Sequence, residues 1–164
     1  WYYPTMTGSL KQMNISYQPK EDRLLLKIST SSNSEYRIWM TRRFTSLLLN
    51  VLSEQMDARG GIQKVASTPD TRERLKNTDA AQEYESGPDM EYPLGADGIL
   101  AFKINAAKNR EGKLNLQLLP EDGEGVNFAL DDSMIYMLHN LIERCIFKTD
   151  WNLQSTQMLQ ANLH

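Results

Sequence analysis

Apolar residues along the chain change their spacing at two places, in the same order each time. Over residues 24–40 they recur at every second position, which is typical of strands with one buried face. Over residues 44–52 they recur at every third or fourth position, which is typical of an amphipathic helix. The same succession runs through residues 114–142. The pattern therefore predicts two units, each made of strands followed by a helix.

The two units align without a gap at an offset of 90 residues. Thr41 and Asp131 occupy the same position in the two units, directly before the helical spacing begins. Each has a side-chain oxygen that can accept a hydrogen bond from a backbone N–H of the first helical turn. We predict helices from about Thr41 to Asp57 and from about Asp131 to Lys148. The equal loop lengths and the matched caps favour an internal duplication.

A further strand should precede each of these units, because apolar residues alternate over residues 13–17 and over residues 100–104. The alternating residues are Met13, Ile15 and Tyr17 in the first case and Leu100, Phe102 and Ile104 in the second. Short polar segments rich in turn formers separate the strands. Each unit is then a three-stranded antiparallel meander followed by a helix. Since one such unit is too small to bury its own apolar face, the two should pack as one α+β domain.

The ends and the connector complete this division. Residues 1–12 do not match the second unit, whereas Met13 opens the first predicted strand and is a candidate natural start. Within the connector, Thr68 followed by a proline and an aspartate is a helix start. Trp151 and Leu153 should fold back onto the core. The predicted segments are an added extension (1–12), the first unit (13–57), an acidic connector that is partly helical or disordered (58–97), the second unit (98–153) and a mobile tail (154–164).

Composition and charge narrow the class of protein. The 164 residues are 40% hydrophobic and 24% charged, as in an ordinary soluble domain. The net charge of −3 gives no overall positive field that would attract nucleic acid, so only a local patch could do so. The single cysteine, Cys145, excludes an intramolecular disulfide and a cysteine-based zinc site. No apolar run approaches the length of about 20 residues that spans a bilayer. These features predict a cytoplasmic protein with no membrane partner.

Candidate catalytic chemistry is sparse. Nucleophilic catalysis needs a positioned base, and the two histidines are His139 and the terminal His164. His139 flanks the apolar face of the second helix, and we interpret it as a half-buried or surface structural residue. Cys145 has core spacing on the same helix. The glycine pairs match no phosphate-binding loop, and the acidic pairs fit a turn and a helix start better than a metal site. We therefore predict a non-enzymatic protein without a cofactor or metal.

The strongest candidate for function is the outward face of the first sheet. Residues that alternate with the inward-facing apolar positions should point outward. An apolar patch there favours a protein partner, above all a second copy of this chain in a homodimer, with Trp39 packed in the contact or under the connector. We call the candidate set the outer-sheet surface; it comprises Leu25, Lys27, Arg37 and Trp39, followed by Arg42 and Arg43 at the start of the helix.

The alternative partner for this surface is single-stranded RNA or DNA. A tryptophan between Lys27 and Arg37 would let bases stack while cations meet phosphates. The repeated unit of antiparallel strands and a helix also resembles the Pur and whirly architectures, which bind single strands on their sheets. Three features oppose this alternative. The matching outward positions of the second unit are neither basic nor aromatic, the second unit and the connector are net acidic, and Arg42 and Arg43 oppose the dipole of the helix that they begin.

Three short segments carry a resemblance to a protein family. They are Ile15-Ser16-Tyr17-Gln18-Pro19, Glu21-Asp22-Arg23-Leu24-Leu25-Leu26 and Trp39-Met40-Thr41-Arg42-Arg43. On these residues the chain, over positions 13–153, resembles an uncharacterised proteobacterial family. That family has no assigned activity, so the resemblance implies a bacterial cytoplasmic origin and no functional residues.

Overall fold

The structure is a computed structural model and describes residues 9–73 and 89–153. It combines strands and helices in the α+β arrangement that the sequence predicts. The elements are β1 (Leu10–Gln18), β2 (Arg23–Thr30), β3 (Glu35–Met40), α1 (Arg42–Ala58), α2 (Ile62–Ala66), α3 (residues 69–73, as far as it is described), β4 (Ile99–Leu100), β5 (Lys103–Lys108), β6 (Leu114–Leu119), β7 (Val126–Leu130) and α4 (Asp132–Ile146).

The strands form two sheets. The first has the order β1-β2-β3-β4 and the second the order β5-β6-β7. All neighbours are antiparallel except β3 and β4, which run parallel. The inward-facing positions of β2 and β3 were predicted from the alternation alone, and all are buried. They are Leu24, Leu26, Ile28, Ile38 and Met40.

Both predicted helix caps are confirmed. The Thr41 hydroxyl accepts a hydrogen bond from the backbone N–H of Phe44 at 3.1 Å. The Asp131 carboxylate accepts one from the backbone N–H of Met134 at 2.9 Å. The capped N–H lies three residues after the cap in each case, so the two helices begin in the same way at the 90-residue offset.

One hydrophobic core joins the two units. Its buried residues come from both sheets and from α1, α2 and α4. Tyr36 of β3 and Phe128 of β7 meet edge to face, with ring centroids 6.1 Å apart. The helices α1 and α4 pack on each other, and each also contacts the first strand of the opposite unit, α4 against β1 and α1 against β5. The two units therefore pack as one domain.

The strand predicted over residues 100–104 is divided between the two sheets. Leu100 pairs with β3, opposite Trp39, and the Ala101 N–H donates to the Trp39 carbonyl oxygen at 2.9 Å. The N–H of the next residue, Phe102, donates to the carbonyl oxygen of Leu119 at the end of β6, in the second sheet. Gly98 makes this crossing possible, because its φ is +77° and a Cβ there would overlap the Arg37 carbonyl oxygen.

The segment boundaries differ in detail from those of the sequence analysis. β1 begins at Leu10, so the last residues of the predicted extension pair with β2. In the predicted connector, α2 and α3 follow α1, and residues 89–98 return along β3. The rest of that connector (74–88) and the predicted mobile tail (154–164) lie outside the described residues. As expected, Trp151 is buried in the core and Leu153 packs against it.

Candidate binding surface

The structure brings four of the six candidate residues together on the outward face of the first sheet. Leu25 of β2 lies directly opposite Trp39 of β3, and Lys27 lies directly opposite Arg37. Their side chains share one face because they alternate with the buried inward positions. The predicted outer-sheet surface therefore exists as a geometric feature.

An apolar row crosses this surface. In register it runs from Leu25 of β2 through Trp39 of β3 to Leu100 of β4, and the polar Ser16 of β1 lies next to Leu25. Leu25 is 8% exposed, Trp39 is half-buried and Leu100 is 40% exposed. The Trp39 indole N–H donates to the Asp97 carbonyl oxygen at 2.9 Å, which fixes the ring on the face. Sequence reasoning missed Leu100, because it was assigned to a continuous strand of the second unit.

The Arg37 guanidinium is engaged by its own chain. Its Nε donates to the Glu35 carboxylate at 2.6 Å, and the Glu35 side chain has no exposed surface. A second nitrogen donates to the Ala96 carbonyl oxygen at 2.6 Å, and the group lies 4.7 Å from the centroid of the Tyr92 ring. Lys27 likewise has an interaction partner. Glu35 thus neutralises Arg37, and the return segment 89–98 covers part of the outer-sheet surface, as the packing interpretation of Trp39 expects.

The two arginines that follow β3 lie elsewhere. Arg42 is exposed near Asp22. Hydrogen bonds from Tyr17 and Trp151 lower the pKa of the Asp22 carboxyl, and the charge of Arg42 lowers it further. Arg43 lies 5.0 Å from the Phe102 ring centroid, and its guanidinium donates to the Phe102 carbonyl oxygen at 3.4 Å. The structure therefore does not bring Arg43 to Trp39.

Arg43 belongs instead to an open groove between α1 and β5, with a volume of about 540 Å³. We call it the α1–β5 groove. Leu47 and Phe102 are its large exposed apolar residues, each 40% exposed. This groove could not be predicted from the sequence, because the apolar spacing would be the same if Leu47 and Phe102 were both buried. Its lining is Arg43, Leu47, Asn50, Val51 and Glu54 from α1, and Phe102, Lys103, Ile104 and Asn105 from the β5 side.

His139 is more deeply buried than the sequence analysis expected, with 1% of its surface exposed. It lies between α4 and α1, with its Nε2 3.4 Å from the Ser53 hydroxyl and 3.6 Å from the Glu143 carboxylate. Burial lowers the pKa of the imidazole, although Glu143 acts in the opposite direction. The ring faces the interior, so it is part of the helix contact. Cys145 is buried too, and burial raises the pKa of its thiol.

The acidic pair at the start of α4, Asp131 and Asp132, has structural partners. Asp131 caps α4, and Asp132 lies 3.2 Å from the Arg59 guanidinium. Within residues 9–73 and 89–153, no three His, Cys, Asp or Glu side chains are arranged to hold a metal ion. None of the helices in that part of the chain has the length and apolar character needed to cross a membrane.

Comparison with known proteins leaves the geometry as the basis for function. No protein-family model, no curated protein and no solved structure matches this chain. The resemblances to a proteobacterial family and to the Pur and whirly architectures therefore stay predictions.

Proposed function

We propose that this chain is a non-enzymatic interaction protein that forms a homodimer through the outer-sheet surface. The observation that carries the proposal is the apolar row across the first sheet, which ends in a leucine, Leu100, that is 40% exposed. Apolar and aromatic residues concentrated in one patch with a polar rim are typical of protein interfaces.

Trp39 is suited to anchor such a contact. Its ring is held by the hydrogen bond from the indole N–H to Asp97 and lies between Leu25 and Leu100 in register. Tryptophan is enriched among the residues that dominate binding energy, and an anchor that is already fixed loses little conformational freedom on association.

The charge pattern favours a protein partner over a polyanion. Arg37 is bonded to Glu35 and to the return segment, so releasing it for a phosphate would break interactions within the fold. A surface with an apolar centre and internally paired charges can contact a second copy of itself without opposing like charges. An isologous dimer needs only one such self-complementary patch.

The test is the oligomeric state of the Leu100→Asp variant, measured by light scattering after size-exclusion chromatography. The wild-type chain should be a dimer and Leu100→Asp a monomer, because a carboxylate would be buried without a partner in the contact. Phe147→Asp is the matched control: Phe147 is 70% exposed at the end of α4, and its variant should remain dimeric. A monomeric wild type, or a dimeric Leu100→Asp variant, would contradict the proposal.

Single-stranded RNA or DNA stays the alternative partner of the outer-sheet surface. The favouring observation is that Lys27 and Arg37 lie side by side next to a half-buried tryptophan. This alternative requires binding that weakens steeply as salt is raised, because counterions are released from the phosphates. Fluorescence anisotropy of a labelled single strand at low and moderate salt tests it, with Trp39→Ala and Arg37→Ala as variants. Binding that is absent or insensitive to salt excludes this alternative.

A further inference from the structure

The α1–β5 groove exposes more apolar surface than its counterpart between α4 and β1. At the 90-residue offset, Leu47 of α1 corresponds to Met137 of α4. Met137 is 8% exposed, whereas Leu47 is 40% exposed. α4 lies against β1, whose residues are mostly half-buried, whereas almost all of β5 is exposed. The opening is therefore particular to the side of the molecule that carries β5.

One side of the α1–β5 groove is the unpaired edge of β5. The Asn109 N–H donates to the Lys113 carbonyl oxygen at 2.8 Å and closes the β5–β6 hairpin. Hydrogen-bonded pairs alternate along an antiparallel ladder, so Asn105 and Ala107 direct their backbone groups to β6. Ile104 and Ala106 then direct theirs to the opposite edge, with which no strand in residues 9–73 and 89–153 pairs. A row of backbone donors and acceptors thus runs beside the apolar groove.

The residues that line the groove indicate which kind of peptide segment fits it. An extended chain added to β5 would place alternate side chains towards Leu47 and Phe102, which supply the apolar contact. Arg43 and Lys103 line the groove, and Lys108 lies at the far end of β5. Glu54 is the one carboxylate among the lining residues. The positive excess favours acidic residues beside the apolar ones.

The same charges argue against a second copy of β5 as the occupant. Antiparallel pairing of two β5 strands would bring the positive groups beside β5 of both copies, Arg43, Lys103 and Lys108, into one contact, and like charges brought together in an interface are destabilising. We propose that the α1–β5 groove binds an extended acidic segment of a partner protein as a fourth strand on β5, with its apolar side chains packed on Leu47 and Phe102.

The experiment selects a display library of random peptides on the full wild-type chain. Recovered peptides should alternate apolar and acidic residues. Their affinity, measured by fluorescence anisotropy, should fall by about tenfold or more in Leu47→Asp and in Lys103→Glu. Phe147→Asp is the control for an added surface charge and should bind like wild type. Leu100→Asp should also bind like wild type, so failure of the dimer proposal leaves this result unchanged.

A second readout tests the added strand itself and needs no variant. In the wild-type chain, bound peptide should slow the hydrogen exchange of the Ile104 and Ala106 amides, because these N–H groups gain carbonyl partners. A peptide methylated at its own alternate backbone nitrogens should lose binding. Recovery of no groove-dependent peptide, recovery of basic peptides, or unchanged exchange at Ile104 and Ala106 would overturn the proposal.

Discussion

Trp151 holds the end of the described chain onto the first unit, and its removal tests the single-domain packing. The ring is 3% exposed and meets Tyr17 edge to face, with centroids 6.1 Å apart. Its indole N–H donates to the Asp22 carboxylate at 2.8 Å. Trp151→Ala therefore removes a contact between residues far apart in the sequence.

The expected size of the effect follows from the burial of the ring. A buried tryptophan removes about 150–250 Å² from water, which at about 25 cal/mol per Å² corresponds to about 4–6 kcal/mol. Aromatic-to-alanine changes in cores cost about 3–5 kcal/mol. We expect Trp151→Ala to lower the free energy of unfolding by about 3–5 kcal/mol, with Trp151→Phe intermediate because it keeps a ring and loses the hydrogen bond.

The assay is urea unfolding followed by far-UV circular dichroism, which does not depend on tryptophan emission. The matched control is Phe147→Ala, which removes an exposed ring four residues earlier and should change stability by less than about 0.5 kcal/mol. A loss below about 1 kcal/mol for Trp151→Ala would refute the inference that this ring joins the two units.

Two further predictions concern His139 and Gly98. Because burial lowers the pKa of His139 from 6.5, the neutral form stabilises the folded state above about pH 6.5, and this stability is lost as the pH falls below that value. His139→Gln should remove this part of the pH dependence of the free energy of unfolding, which is at most about 1.4 kcal/mol per pH unit, as urea unfolding at several pH values measures. An unchanged slope would contradict this role of His139. Gly98→Ala should cost about 1–3 kcal/mol, because its Cβ would overlap β3. Gly95 has a similar φ but no atom close to the position that a Cβ would take, so Gly95→Ala should cost less. Equal losses for the two variants would contradict the overlap at Gly98.

Local patterns sufficed for the elements whose partners are close in sequence. β2, β3 and α1 follow from strict alternation, from the change to helical spacing and from the cap at Thr41. The same reasoning placed Leu25 and Trp39 on the outward face, and the structure then pairs them directly opposite each other.

The features that were missed depend on contacts between distant segments. The apolar spacing of Leu100 and Phe102 is the same for one continuous strand as for two short pieces in different sheets, and only the approach of Gly98 to β3 decides between them. Likewise His139 and its counterpart Leu49 both lie beside the main apolar stripe of their helices. Both are buried because α1 and α4 pack on each other.

The central claim is that the outer-sheet surface is the contact between two copies. Hydroxyl-radical footprinting of the wild-type chain at rising protein concentration tests it most directly, because it reports the reactivity of individual side chains. The account predicts that Leu100 and Trp39 become protected as the dimer forms, while Phe147 keeps its reactivity. Dimer formation with unchanged reactivity at Leu100 would contradict the claim.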